Sequence, residues 1–149
     1  MFNIALYQPD IPQNTAAIIR LCACFDITLE IIEPCGFYLE DKRLKRVAMD
    51  YLKKSKIIRY KTYKDFLAKK KNTRVILMTT KAKKKYYSFK FKPRDTLLFG
   101  RESAGVPKIV HKKSHQRLRI PLKNGARSLN IGMAVSITLS EALKQNCYF

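Results

Sequence analysis

Leu97-Leu98-Phe99-Gly100-Arg101-Glu102-Ser103-Ala104-Gly105-Val106-Pro107 is the segment on which the reading of this chain turns. An apolar run stops abruptly at a glycine, a single carboxylate follows, and a second glycine and a proline close the segment. A buried strand keeps its backbone groups paired to its end, and a glycine there lets the chain bend and present backbone to a ligand. About thirteen residues past Gly105 the pattern recurs. Leu118-Arg119-Ile120-Pro121 is a second short strand. It runs into the polar loop Lys123-Asn124-Gly125-Ala126-Arg127-Ser128-Leu129-Asn130, which opens a long apolar helix. Either loop alone reads equally well as an ordinary turn. Two strand ends feeding glycine-bearing loops, one of them entering a helix, is how open α/β sheets build small-molecule sites.

The rest of the chain supplies the sheet. Strands are predicted at Phe2–Tyr7, Ile27–Ile32, Ile57–Tyr60, Arg74–Thr80, Asp95–Phe99 and Arg117–Ile120. Helices are predicted at Thr15–Phe25, Asp41–Tyr51 (with Leu44, Val47 and Met49 as its apolar positions), Tyr63–Lys71, Pro107–Lys113 and Leu129–Gln145. Strands alternating with helices predict an α/β fold with a mainly parallel sheet flanked by helices. The last helix is apolar on more than one side, through Ile131, Met133, Val135, Ile137 and Leu139. In so small a domain that points to a subunit interface as well as a core, against the alternative of a central helix in a monomer.

At 149 residues the chain predicts one domain, 1–149. Its hydrophobic content of 46% and mean hydropathy of -0.26 fit a folded globular protein rather than a disordered one. Lys and Arg number 31 against 11 acidic residues, a net charge of +20. A field of that size favours a polyanionic partner, and no basic amphipathic helix suggests a membrane, so RNA or DNA is expected. No leader-like start and no apolar stretch near 18 residues is present, so neither a signal peptide nor a membrane span is expected. Cys22, Cys24, Cys35 and Cys147 lack metal-type spacing and fit a reduced, cytoplasmic setting. His111 and His115 are four apart and could share a helix face, but no third ligand joins them, and no metal is expected. The run Lys81-Ala82-Lys83-Lys84-Lys85-Tyr86-Tyr87 could hold phosphates and stack bases, or be a solvated loop with two anchoring tyrosines.

Near the start, Pro12-Gln13-Asn14-Thr15-Ala16-Ala17-Ile18-Ile19-Arg20 follows the first strand. Asn14 suits a helix cap, and Arg20, six residues on, is nearly two helical turns away and could face the same side. Taken with the segments from Phe99 to Pro107 and from Ile120 to Asn130, this block resembles the SPOUT superfamily of RNA methyltransferases across essentially the whole chain. Ile31-Ile32-Glu33-Pro34-Cys35-Gly36-Phe37, then Asp41-Lys42-Arg43-Leu44-Lys45-Arg46 and Asp50-Tyr51, resembles its small single-domain branch, the tRNA (cytidine/uridine-34) 2′-O-methyltransferases. Two departures stand out: Ala16-Ala17 where Gly-Asn is often seen, and Gly132 where serine is common. The first bears on substrate choice, since Asn14 and Arg20 stay in place.

The resemblance implies a C-terminal deep trefoil knot, a homodimer, S-adenosylmethionine as methyl donor and a tRNA anticodon stem-loop as partner. Carried over residue by residue, it implies cofactor contacts at Met78, Gly100, Ile120, Ser128 and Leu129, and catalytic-site roles for Asn14, Arg20, Glu102, Ser128 and Asn130. A ribose hydroxyl is a poor nucleophile at neutral pH, so such a site must align oxygen, methyl carbon and sulfur and favour loss of the proton. A guanidinium is effectively never deprotonated, so Arg20 is expected to clamp a phosphate and stabilise developing alkoxide charge, with Glu102 positioning Arg20 or the loops. The same chemistry on another tRNA position or on ribosomal RNA, and a catalytically silent RNA-binding protein on the same fold, are the competing readings.

Overall fold

The computed structural model describes residues 1–48 and 50–148. Six strands form one sheet in the order β3-β2-β1-β5-β4-β6, and every pairing is parallel. They are β1 (Asn3–Tyr7), β2 (Thr28–Ile32), β3 (Ile57–Tyr60), β4 (Val75–Met78), β5 (Thr96–Phe99) and β6 (Gln116–Leu118). The central strands β4 and β5 are buried at every residue, the signature of parallel strands covered on both faces. The edge strands β3 and β6 are short and partly exposed. Helices are α1 (Pro12–Cys24), α2 (Lys42–Ala48), α3 (Tyr51–Lys54), α4 (Tyr63–Ala68), α5 (Lys108–Lys113) and α6 (Ile131–Gln145).

The strand order has a consequence for the site. The first three strands are laid down outward from β1. The chain then jumps past β1 to β4, and β5 fills the gap between them. The direction of winding therefore reverses at the β1–β5 boundary, where open α/β sheets open a crevice at their carboxyl ends. After β6, α6 returns to pack on α1 and β5. Ile4, Leu6, Ile18, Ile19, Leu97, Val135 and Leu139 belong to one continuous core on that face; Leu77, Leu98, Phe66 and Val110 form a second cluster on the other. Arg74 clamps the amino ends of β4 and β5 together: its Nε donates to the buried Asp95 carboxylate at 2.7 Å and its Nη2 at 2.5 Å.

Local differences from the sequence reading have physical causes. Helix α1 starts at Pro12 rather than Thr15, capped by Ile11, because proline fits the first helical position, where its missing N–H costs nothing. Asn14 is thus inside the first turn and not a cap; its side chain is free for tertiary contacts. The single predicted helix 41–51 is two, α2 and α3, and Met49 lies outside the described residues. His111 and His115 do not share a helix face, since α5 ends at Lys113. The His115 Nδ1 instead accepts the Val75 N–H at 3.0 Å, a sheet-edge contact. Tyr86–Ser88 within the basic-aromatic run forms a 3-10 turn, leaving Tyr87 49% exposed and Tyr86 packed against the core.

Candidate active site

The carboxyl ends of β4, β5 and β6 converge with the start of α6 around a cavity of ≈ 450 Å³. That is the size range of small-molecule sites. Asn14, Met78, Gly100, Glu102, Ile120, Ser128, Leu129 and Asn130 all border it. Met78 is the last residue of β4, and Gly100 follows the last residue of β5. Ile120 lies two residues past β6, and Ser128 and Leu129 lead into the Asn130 cap of α6.

The loop after β5 is held shut on itself. Arg101 N–H donates to the Gly105 carbonyl at 3.1 Å and Gly105 N–H to the Arg101 carbonyl at 2.9 Å. This brings the Gly100 and Gly105 backbones into contact: a Cβ on Gly100 would stand 2.7 Å from the Gly105 carbonyl carbon. Gly105 has φ +64°, in the region that favours glycine. Both glycines of the opening stretch are thus required by geometry, one by close approach and one by backbone conformation.

A chain of side-chain hydrogen bonds ties this loop to the two helices. Gly132 N–H donates to Asn130 Oδ1 at 2.8 Å, capping α6. Asn130 Nδ2 donates to Asn14 Oδ1 at 2.9 Å, and Asn14 Nδ2 to Glu102 Oε1 at 3.2 Å. The other Glu102 oxygen accepts the Asp10 N–H at 2.8 Å. Residues far apart in sequence are locked in one orientation, and each amide uses its oxygen and nitrogen in opposite directions. Glu102 therefore positions the loops and Asn14 rather than Arg20. At Gly132 a Cβ would stand 3.2 Å from Asn130 Oδ1, a tight contact with the end of a side chain.

Asp10 is a site residue that motif reading misses. Its Oδ2 accepts both the Ser103 N–H at 3.0 Å and the Ser103 hydroxyl at 2.5 Å. Gly36 packs on its backbone, 3.0 Å separating Asp10 Cα from the place a Gly36 Cβ would take. Three strand-end loops meet at this residue. Asp10→Ala is expected to lower stability by about 0.5–1.5 kcal/mol, the range for losing a hydrogen bond whose donors, here on Ser103, are exposed. Urea unfolding checks this, and an unchanged midpoint in the alanine variant would mean that the Ser103 contacts carry no weight. Thr79 and Thr80 also border the cavity, directly after β4. The carboxyl-end rule, applied to β4 as it was to β5 and β6, would have found them.

Arg20 stands apart from this group. It does not border the cavity, is exposed, and lies with its guanidinium 5.1 Å above the Tyr51 ring. Six residues are about one and two-thirds helical turns, which turns Arg20 well away from the Asn14 direction. Among the described residues no carboxylate pairs with it. It is a charged fork over an aromatic ring and open to an anion.

Cys35 lies within electrostatic reach of Glu102. Burial, then Glu33 and Glu102, push its thiol up to about 11, outweighing the opposing pull of Arg59. It stays protonated at neutral pH and is no thiolate nucleophile. Among the described residues no three His, Cys, Asp or Glu side chains gather in a way that could hold a metal ion. Among the described residues no helix is long and apolar enough to cross a membrane.

Comparison with known proteins agrees with this geometry. A tRNA (cytidine(34)-2′-O)-methyltransferase of Beijerinckia indica is 46% identical over 144 residues, 95% of this chain and 90% of the relative. Its namesake from Escherichia coli K12 is 39% identical over 150 residues, 99% and 96% of the two chains. A structure solved for insight into 2-OH methylation of C/U34 on tRNA superposes with a TM-score of 0.95 at 33% identity, covering 100% of this chain and 98% of its own. With a family model matching residues 1–140 and relatives this similar end to end, the chain belongs to the SpoU rRNA Methylase family.

Proposed function

We propose that this protein transfers a methyl group from S-adenosylmethionine to the ribose 2′-hydroxyl of the tRNA wobble nucleotide, position 34. The observation that carries the proposal is the convergence of three parallel strand ends and the α6 cap on one cavity, braced by the Glu102–Asn14–Asn130 chain. The relatives named for this reaction match nearly the full length of the chain.

The residues present fit the methyl donor. Apolar strand-end side chains, Met78, Phe99, Ile120 and Leu129, would flank an adenine ring, and the strand-end backbone would meet its polar edge. Gly100 and Gly105, packed backbone to backbone, add no side chain to that wall. When bound, S-adenosylmethionine supplies a sulfonium-activated methyl group. The protein's own task is alignment and charge. Asn14 and Asn130, each fixed through both amide oxygen and amide nitrogen by the hydrogen-bond chain, hold the ribose side of the site in a single arrangement. Ser128 borders the same space with an exposed hydroxyl. Glu102 fixes the amide of Asn14 through one oxygen and the loop backbone through the other. Arg20, always charged and without a carboxylate partner among the described residues, lies outside the cavity and binds the phosphate backbone of the substrate there.

The proposal extends to the assembly. Residues 1–149 act as one methyltransferase domain, supported by a single continuous sheet. The C-terminal crossing is a deep trefoil knot. Its support is β5 inserted between β1 and β4, β6 beyond β4, and α6 back against α1. The active form is a homodimer: Leu129, Met133 and Ile137 recur every fourth residue, are 37%, 62% and 37% exposed, and run from the cavity rim along α6. The anticodon stem-loop is the partner and the cytoplasm is the setting, where the four free cysteines stay reduced.

Incubation with labelled S-adenosylmethionine and total tRNA, followed by mapping of the label, tests the reading. Label on the ribose of nucleotide 34 is expected. Label at another nucleotide overturns the target, and binding without transfer overturns the chemistry.

A further inference from the structure

The excess positive charge is not spread evenly. Residues 1–65 carry 11 Lys or Arg and 8 Asp or Glu, whereas residues 66–149 carry 20 and 3. The three acids of the second part are already engaged. Asp95 is bound to Arg74, Glu102 belongs to the Asn14 chain, and Glu141 accepts from Gln145. The stretches 66–94 and 103–140 hold 18 Lys and Arg without one carboxylate.

Within this half, one face gathers cations at a defined place. Arg117 pairs with Leu77 across β4 and β6, so it projects to the face where Leu77 packs with Val110 of α5. Its Nη1 donates to the carbonyl of His111, the residue after Val110, at 3.3 Å. Lys81 lies two residues past Thr79, whose N–H donates to the Leu118 carbonyl at 2.8 Å, so it stands beside the end of β6. Burial first, then Lys81 and Arg117, lower the His111 pKa and favour its neutral form. Arg119, two residues on from Arg117, has a buried Nε without an acceptor. Among the described residues no ion pair includes Lys81, Arg117 or Arg119. Mutually repelling cations beside a partly buried imidazole are an arrangement that an anion relieves.

We infer that the α5-side face at the β6 edge binds the phosphate backbone of the RNA substrate, with Lys81, His111 and Arg117 holding one phosphate. The inference rests on the tRNA reading above and adds where the polyanion lies. It assigns RNA contact to side chains outside the cavity, so affinity for the polyanion and affinity for the methyl donor are separable.

Salt dependence of binding to unfractionated tRNA is the test, since each phosphate contact contributes a fixed increment to the slope of log K against log salt. Lys81→Ala/Arg117→Ala is expected to reduce that slope by about 0.9, the increment of one phosphate, and to weaken binding roughly tenfold near 0.1 M salt. Lys81→Ala alone, which leaves the Arg117 bond to His111 intact, is expected to take about half of that slope change. Exposed Lys61 and Lys64, from the charge-balanced part, serve as the control: Lys61→Ala/Lys64→Ala is expected to leave the slope as in the wild type. S-adenosylmethionine affinity stays unchanged in all variants and reports that each is folded. An unaltered slope in the double variant, or an equal fall in the control pair, overturns the inference. Wild-type protein that binds tRNA with the expected slope differences yet transfers no methyl group overturns the transferase reading and leaves this face standing.

Discussion

Gly100→Ala is expected to lose S-adenosylmethionine binding by at least about a hundredfold and to lower stability by about 2–3 kcal/mol. The added methyl would stand 2.7 Å from the Gly105 carbonyl carbon, 2.8 Å from its Cα and 3.0 Å from its oxygen. All three are backbone atoms, pinned by the paired hydrogen bonds between Arg101 and Gly105, so no rotamer change relieves the overlap. Relief requires the loop to open, and the loop carries Glu102. The disturbance then passes through Asn14 to Asn130 and distorts both sides of the cavity together. Gly105→Ala makes the contrast. A Cβ there meets nothing within 4 Å, and only the φ of +64° opposes it, a cost of about 1 kcal/mol. Calorimetric titration with S-adenosylmethionine, together with thermal unfolding, separates the two. Equal behaviour of the two variants would mean that close approach at Gly100 does not shape the site.

Arg20→Lys is expected to lower turnover on tRNA about a hundredfold, with S-adenosylmethionine affinity within about twofold of the wild type. Lysine keeps the charge but removes the planar fork and its stacking on Tyr51 at 5.1 Å. Because Arg20 does not border the cavity, nothing in the cofactor site is altered directly. A variant with normal turnover would show that a point charge suffices there, and the forked contact to phosphate would be wrong. Single-turnover kinetics beside equilibrium cofactor binding provides both readouts.

Much of this was legible in the sequence, for reasons that differ by element. Strands β4 and β5 are short runs of large apolar residues buried on both faces, and such runs bounded by turn residues are readable without a partner. The glycine-bearing end of β5 is legible because it closes such a run, whereas β6 is short and partly exposed and its end is legible only from the polar, glycine-bearing loop that follows it. What the pattern did not contain was the pairing. That β5 lies between β1 and β4 depends on contacts between residues distant in the chain, and periodicity is blind to them. Asn14 was read as a cap because its chemistry suits one; Pro12 took the first helical turn earlier, and the amide was left for Glu102 and Asn130. A spacing of six residues, nearly two turns, allows Arg20 to share a side with Asn14, but the remaining third of a turn decides the direction. Asp10 was invisible because its importance comes from Ser103 and Gly36, both remote in sequence.

The hydrogen-bond chain also explains why the cavity is preformed. Its members lie on the β1–α1 connection, the loop after β5 and the start of α6, so the site depends on the packing of α6 against α1. Val135, Leu139 and Ala142 of α6 are buried, and their burial stabilises the same arrangement that orients Asn130. Fold and site are thus coupled through one helix, while the cationic face at β6 lies on the opposite side of the sheet from that helix.

A crystal of the wild-type protein soaked with S-adenosylmethionine tests the central claim most directly. The account predicts ligand density between Gly100, Ile120 and Leu129, with the Glu102–Asn14–Asn130 hydrogen bonds retained. Ligand bound elsewhere on the molecule, or a closed cavity at those strand ends with no ligand at saturating concentration, would contradict it.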